Sequence, residues 1–365
     1  MRSRIISIGT AVPVYGTEQS VILNFMHEAY ANETASRKLN LLFGHSGINT
    51  RYSVISDFNL SLKKHTLFNG SPLPKVEERL GVFKDNAVPL ALEAVKNAVE
   101  KLGTSVLDFG FTHLITVTCT GLYAPGIDAE LVEQLDLPND IFHTSVNFLG
   151  CNAAFHALKL ADMIVRTDEN AKVLLVCVEL CTLHFQPKDN NDNLLSNTIF
   201  GDGASAAIIT GNQAASKFQN KNLVINGFYS LLLNKGKQFM GWNITPVNFE
   251  MILDAKIPEF IGDEINNIVQ SAGKKFNIKP DAICKWAIHP GGKKILDVIK
   301  KQLRLTDEDL HYSYKVLNEY GNMSSPTILF VLNEIAQDHL KQNETIFSVG
   351  FGPGLSIETA LLTYE

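Results

Sequence analysis

Apolar runs of strand length, rich in β-branched residues, alternate along this chain with segments whose apolar positions recur at helical spacing. That alternation predicts an α/β fold with buried sheets. PLALEAVKNAVEKLG (89–103) has the helical period and a glycine stop, and THLITVTCTG (112–121) reads as a strand ending in small polar residues. A further helix opens at Cys151, where Ala154, Ala157, Leu158, Ala161, Ile164 and Val165 share one apolar stripe. AKVLLVCVEL (171–180) and GASAAIITG (203–211) follow as strands.

The second half repeats this order. The helix IGDEINNIVQSAGKKF (261–276) precedes the strand CKWAIHPGG (284–292), and a helix opens near Ser324. TIFSVGFG (345–352) and LSIETALLTY (355–364) close the chain as strands. Run for run, 112–121 pairs with 284–292, 171–180 with 345–352, and 203–211 with 355–364. The pattern predicts an internal duplication, with halves 1–215 and 216–365 joined by a polar seam from Asn212 to Asn222. Two such halves stack sheet on sheet, with helices outside and between. Ligands of parallel α/β sheets bind at strand carboxyl ends and at the N-termini of the following helices. This geometry brings Cys151, His289 and Asn322 to one pocket between the halves.

Composition narrows the function classes. The chain has 365 residues, 45% apolar and 19% charged, as a globular protein without a disordered half does. A net charge of −6 argues against a nucleic-acid or anionic-membrane binder, and leaves an anionic substrate dependent on a local basic patch. The longest apolar runs are far short of the roughly 20 residues a spanning helix needs. MRSRIISIGTAVP is interrupted by Gly9, Thr10 and Pro13, so it reads as a first strand and not a signal peptide. Five cysteines without framework spacing point to a reducing cytoplasm. Cys177 and Cys181 share a face of one strand-like run, but no second Cys/His pair completes a metal site.

Chemistry concentrates in three places. In NFLGCNAAF, Cys151 sits at the mouth of an amphipathic helix, where the dipole and unpaired N–H groups favour a thiolate. Beside a histidine, such a thiol falls from about 8.5 to roughly 3.5–7.5. AIHPGGKKILD places His289 at a strand end before a Pro-Gly-Gly turn that brings backbone close. NEYGNMSSPT places Asn322 in a tight turn running into a helix. An asparagine amide beside an imidazole makes two donors for a thioester or enolate oxygen. Each motif alone also reads as ordinary packing or turn chemistry.

Together GCNAAF, FGDGASA (200–206), IHPGG (288–292), EYGNMSS (319–325) and above all GFGPGLSIE (350–358) resemble the type III polyketide synthases, the chalcone and stilbene synthase family. The resemblance runs from about Ile5 to the C-terminus and is closest to bacterial members. It implies a homodimer with a thiolase-like, duplicated, five-layered αβαβα core. It also implies an acyltransferase in which Cys151 takes an acyl group from an acyl-CoA, while His289 and Asn322 polarise malonyl-CoA. Decarboxylation gives an enolate that attacks the Cys151 thioester, and the cycle repeats before the chain closes to a pyrone, resorcinol or phloroglucinol. No cofactor is implied beyond the CoA thioester substrates. Phe200 and Phe249 are similar to the family's gate between the CoA tunnel and the cavity, and Gly352, Pro353, Gly354 and Ser324 fall on its wall.

Departures from the family bear on the substrate. Basic residues that bind CoA in plant members map to Lys38, Leu41 and His45, of which only Lys38 keeps a permanent charge. A starter on an acyl carrier protein therefore stands beside acyl-CoA. Cys119 and His184 replace threonines, and Ala124 replaces a methionine that reaches into the partner subunit. Glu179 and Ser324 are kept from a hydrogen-bonded set associated with aldol cyclisation. Cys119 and Ala124 are expected to open room for an aliphatic chain, and His184 to narrow or polarise the starter pocket. Three alternatives stay open: a single-condensation 3-ketoacyl synthase-like acyltransferase, a Cys-His-Asn hydrolase and an inactive scaffold. The hydrolase lacks the papain-type local sequence.

Overall fold

The computed structural model describes residues 2–60, 64–69, 72–218 and 222–365. Residues 219–221 of the polar seam lie outside the described residues; its start forms the short helix Asn212–Ala215. The central feature is a nine-stranded mixed ladder. In spatial order its strands are Lys285–Ile288, Thr345–Gly352, Ser356–Tyr364, Leu223–Leu232, Ser3–Ala11, Asp202–Thr210, Lys172–Leu180, His113–Thr118 and Phe142–Asn147.

The duplication read from sequence is visible in that order. Ser3–Ala11 and Leu223–Leu232 meet in the middle, antiparallel, through Ser3–Ile225, Arg4–Val224 and Ile5–Leu223. Outward from this junction each half adds two antiparallel pairings and then a parallel one. The strands that correspond are those the sequence matched, and Phe142–Asn147 extends the first half by one more.

Side-chain alternation sorts the strands into layers. In Lys172–Leu180, Leu174, Val176 and Val178 face one core while Val173, Leu175 and Cys177 face another. The first core also receives the helix Val76–Glu100. The second holds the helices Ala153–Thr167 and Thr327–Gln337 between strands of both halves. A third core packs Ile257–Phe276 and Lys293–Leu303 on the far side. The result is the five-layered α-β-α-β-α arrangement, with a short ladder joining sheets expected to be separate. Thr327–Gln337 is buried from Thr327 to Asn333 without a break, as a helix sandwiched between two sheets must be.

Boundaries differ from the sequence reading in informative ways. The helix expected from residue 89 begins at Val76 and runs through Pro89, held by the buried stripe of Ala87, Val88, Leu90 and Ala91. Cys151 lies in a 3-10 turn, Gly150–Asn152, just ahead of the helix expected to open on it. The helix expected near Ser324 starts at Thr327.

Candidate active site

Three elements converge between the layers. Cys151 precedes the first central helix, and His289 is the first residue after Lys285–Ile288, its N–H donating to the Val349 carbonyl at 2.8 Å. Asn322 precedes the second central helix and is bridged to the segment carrying Phe200. Its N–H donates to the Ile199 carbonyl at 2.9 Å, and its own carbonyl accepts from Gly201 N–H at 3.0 Å. Two glycines permit the close approach of the halves. Gly150 has φ +76°, and a Cβ on it would lie 2.3 Å from Pro353 Cδ. A Cβ on Gly352 would meet Asn152 Oδ1 at 2.3 Å.

The side chain of Asn322 is oriented by its surroundings. Its Oδ1 accepts the Ser324 N–H at 2.8 Å, which leaves the amide N–H2 for other partners. Nδ2 donates to the Gly291 carbonyl at 3.4 Å and lies 3.9 Å from Cys151 Sγ. Ser324 is held at φ +59°, and its hydroxyl acts on the Cys151 sulfur. Both ring nitrogens of His289 are buried without a hydrogen-bond partner, beside Gly291.

Burial opposes charge on each group taken singly. It pushes the Cys151 thiol up to about 11, with the nearby Glu179 adding to the rise and the Ser324 and Asn322 hydrogen bonds offsetting it. It pulls His289 down to about 3. This differs from the expected lowered thiol, because the helix mouth lies inside the protein and not at its surface.

Cavities lie on both sides of this constellation. Cys151 opens on an inner cavity of about 70 Å³, which Cys119, His184, Phe200, Phe249, Ser324 and Pro353 also line. An outer cavity of about 550 Å³ is lined by Lys38, Leu41 and His45 on one side and by Gly291 to Lys294 on the other. The helix Asn191–Ile199 divides them, with Asn193, Ser196 and Asn197 facing inward and Asn191, Leu194 and Leu195 outward. Asn322 links residues of the two linings, since its Nδ2 lies near the Cys151 sulfur and donates to the carbonyl of Gly291.

Several residues take positions that the sequence did not suggest. Glu179 lies behind the wall. It accepts from Ser325 Oγ at 2.6 Å, Thr120 Oγ1 at 2.8 Å, Cys119 N–H at 2.9 Å and Thr118 Oγ1 at 3.3 Å. Its serine partner is thus Ser325, while the Ser324 hydroxyl acts on the Cys151 sulfur. Cys119 Sγ accepts the Gly150 N–H at 3.1 Å. Gly352 is packed against Asn152 and Gly354 has φ +98°. Ala124 is exposed and does not line the inner cavity of its own chain. Lys38 is tied to Asp189 at 3.2 Å and Lys293 to Asp297 at 2.6 Å, and Lys294 also lines the outer cavity.

Sequence reasoning missed four contributors. Lys293 and Lys294 follow the HPGG turn directly, so proximity to His289 was the available signal. Trp242 lines the inner cavity and donates from Nε1 to the Cys119 carbonyl at 2.6 Å. Buried Arg51 donates to the Phe200 carbonyl at 2.6 Å and to Gln19 Oε1 at 2.8 Å, and nothing local in its sequence announces that role.

Comparison with known proteins agrees with this architecture. The pattern described as chalcone and stilbene synthases, N-terminal domain, matches residues 2–213, and the C-terminal domain of the same family matches 229–364. The alpha-pyrone synthesis polyketide synthase-like protein Pks18 of Mycobacterium tuberculosis is 29% identical over 356 residues, covering 97% of this chain and 89% of that protein. PKS-I of the brown alga Ectocarpus siliculosus superposes with a TM-score of 0.91 at 29% identity, over 100% of this chain and 98% of that one. The C-terminal type III polyketide synthase domain of Steely1, a type I/III hybrid from Dictyostelium, gives 0.90 at 26% identity, over 100% and 99%. The chain belongs to the chalcone and stilbene synthase family and is a type III polyketide synthase, an acyltransferase with a thiolase-like fold.

Proposed function

We propose that this enzyme loads a short acyl starter on Cys151, extends it with malonyl units and releases the product as a lactone of the α-pyrone type. Cys151 attacks the starter thioester as its proton passes to His289, and CoA leaves as the thiol. Malonyl thioester then loses carbon dioxide, and the enolate oxygen takes hydrogen bonds from Asn322 Nδ2 and the His289 ring. The enolate carbon attacks the acyl carbonyl, the bond to Cys151 breaks, and a chain two carbons longer remains on the incoming thioester. Loss of carbon dioxide supplies the driving force, so this sequence of steps uses no cofactor.

The observation that carries the reading is Cys151 on the wall of a small inner cavity, with Asn322 Nδ2 3.9 Å from its sulfur and 3.4 Å from the carbonyl of Gly291, a residue that lines a larger outer cavity. The outer cavity, rimmed by Lys38, Lys293 and Lys294, suits the pantetheine arm and phosphates of CoA or of a carrier protein. An inner volume of about 70 Å³ equals only a few water-sized groups and favours a short starter over a long aliphatic one. Glu179 is wholly buried and holds four donors, three on Oε2 and one on Oε1, and so is poorly placed to activate the water that thioester hydrolysis before aldol closure requires. That supports lactonisation, as does the name of the mycobacterial relative. A homodimer and a cytoplasmic location belong to the same reading; all five cysteines are unpaired.

Mass spectrometry of products from malonyl-CoA, alone and with acyl-CoA starters of graded length, tests the proposal. Pyrones built from short starters are expected, and none from Cys151→Ala. Products of a single extension, or equal products from the variant, would overturn it.

A further inference from the structure

His184 ends the turn Cys181–His184, and both of its ring nitrogens are committed within the protein. Nε2 donates to the Thr120 carbonyl at 2.7 Å, and Nδ1 accepts the Phe249 N–H at 3.0 Å. The ring lies parallel to that of Phe249, with centroids 4.6 Å apart and an interplanar angle of 8°. The His184 carbonyl also accepts from Asn248 Nδ2 at 3.1 Å. No ring nitrogen is left to polarise an acyl chain.

Phe249 and Trp242 sit on the hairpin Met240–Ile244 and Phe249–Leu253, a two-stranded ladder separate from the main sheet. Such a hairpin is marginal by itself in water, so its position depends on anchors. Trp242 stands edge-on to His184 at 5.7 Å, and Phe148, three residues before Cys151, packs on Phe249 at 5.5 Å. The anchors converge on the ring of His184.

We propose that His184 is a positioning residue that fixes the Phe249 hairpin over Cys151, and thereby keeps water from the enolate formed there. This rests on the reading of the inner cavity as the site of condensation. If the hairpin loosens, the enolate takes a proton from water and leaves as acetyl-CoA, so malonyl-CoA is decarboxylated without chain extension.

The test is the ratio of acetyl-CoA released to chain extensions made, with malonyl-CoA and one accepted starter. His184→Asn keeps an acceptor near the Nδ1 position for the Phe249 N–H. His184→Gln reaches only toward Thr120, and His184→Ala keeps neither bond. The ratio is expected to rise about fivefold in His184→Gln and His184→Ala, the equivalent of one lost buried hydrogen bond, and to stay near wild type in His184→Asn. Iodoacetamide should still label Cys151 selectively in all three, which shows that the nucleophile is intact. Phe249→Ala should raise the ratio as well, with no further rise in the double variant with His184→Gln. A raised ratio in Phe249→Ala with unchanged ratios in the His184 variants would overturn the proposal. So would a higher starter KM at an unchanged ratio, which marks a substrate contact. If Phe249→Ala itself leaves the ratio unmoved, the reading of the cavity fails first. If His184→Ala does not fold, the Asn and Gln pair decides.

Discussion

At Cys151 the reacting form is the thiolate, and its share rises with pH. Burial, with Glu179 adding to it and the Ser324 and Asn322 hydrogen bonds offsetting part, pushes the thiol up to about 11, so without a proton acceptor alkylation at neutral pH is slow. On the proposed mechanism His289, whose two ring nitrogens are buried without a hydrogen-bond partner, accepts that proton and holds the charge as a pair. In His289→Ala the midpoint of the pH–alkylation profile should therefore move upward, by more than about one pH unit, toward the value burial imposes. Superimposable profiles would remove His289 as the acceptor. The identities of Cys151, His289 and Asn322 were legible from short motifs, since each sits beside glycine or proline at a strand or helix end. Their electrostatics were not. The helix mouth suggested a low thiol pKa, and only the three-dimensional packing reveals how completely the sulfur is buried and how near Glu179 stands. The same limit applies to Ser324, which is held at φ +59° and whose hydroxyl acts on that sulfur.

At the scale of elements, the central helix Ala153–Thr167 shows how composition sets spacing. Ala153, Ala154, Ala157 and Ala161 are wholly buried, which lets the helix approach strands of both halves and brings Cys151 to their seam. Ala157→Leu should overpack this layer at a cost of about 1–3 kcal/mol. Thermal denaturation with a lowered midpoint would register it, and an unchanged midpoint would mean that the layer has slack. The alanine stripe was readable because it depends on one segment's own period. Gly150 was readable only as a neighbour of cysteine, because its requirement comes from Pro353, two hundred residues away. The hairpin at 240–253 was the least legible element. Its strands pair only with each other and carry no long period, so sequence singled out Phe249 and passed over Trp242.

For the whole molecule, duplication leaves an asymmetry with a consequence. The two halves share one strand order, but the first is extended by Phe142–Asn147, parallel to His113–Thr118 and at the end of the ladder. Its outer edge has no partner among the described residues, and Phe142 there is 54% exposed. A strand edge with an exposed aromatic invites pairing, and across a two-fold axis the same strand meets itself antiparallel. Leu149 and Met163, before and on the Cys151 helix, are also exposed, so an interface on this side would reach the turn that carries the nucleophile. Phe142→Asp places two like charges close together in such a pair, and if this edge is the interface, light scattering should read the monomer mass of 40.3 kDa for the variant and twice that for the unaltered protein. Because Phe142 contributes little to the interior, the variant's thermal midpoint for the monomer fold should hold even as activity falls. A dimer that survives the substitution would place the interface on another face, and would separate the support of Cys151 from assembly altogether.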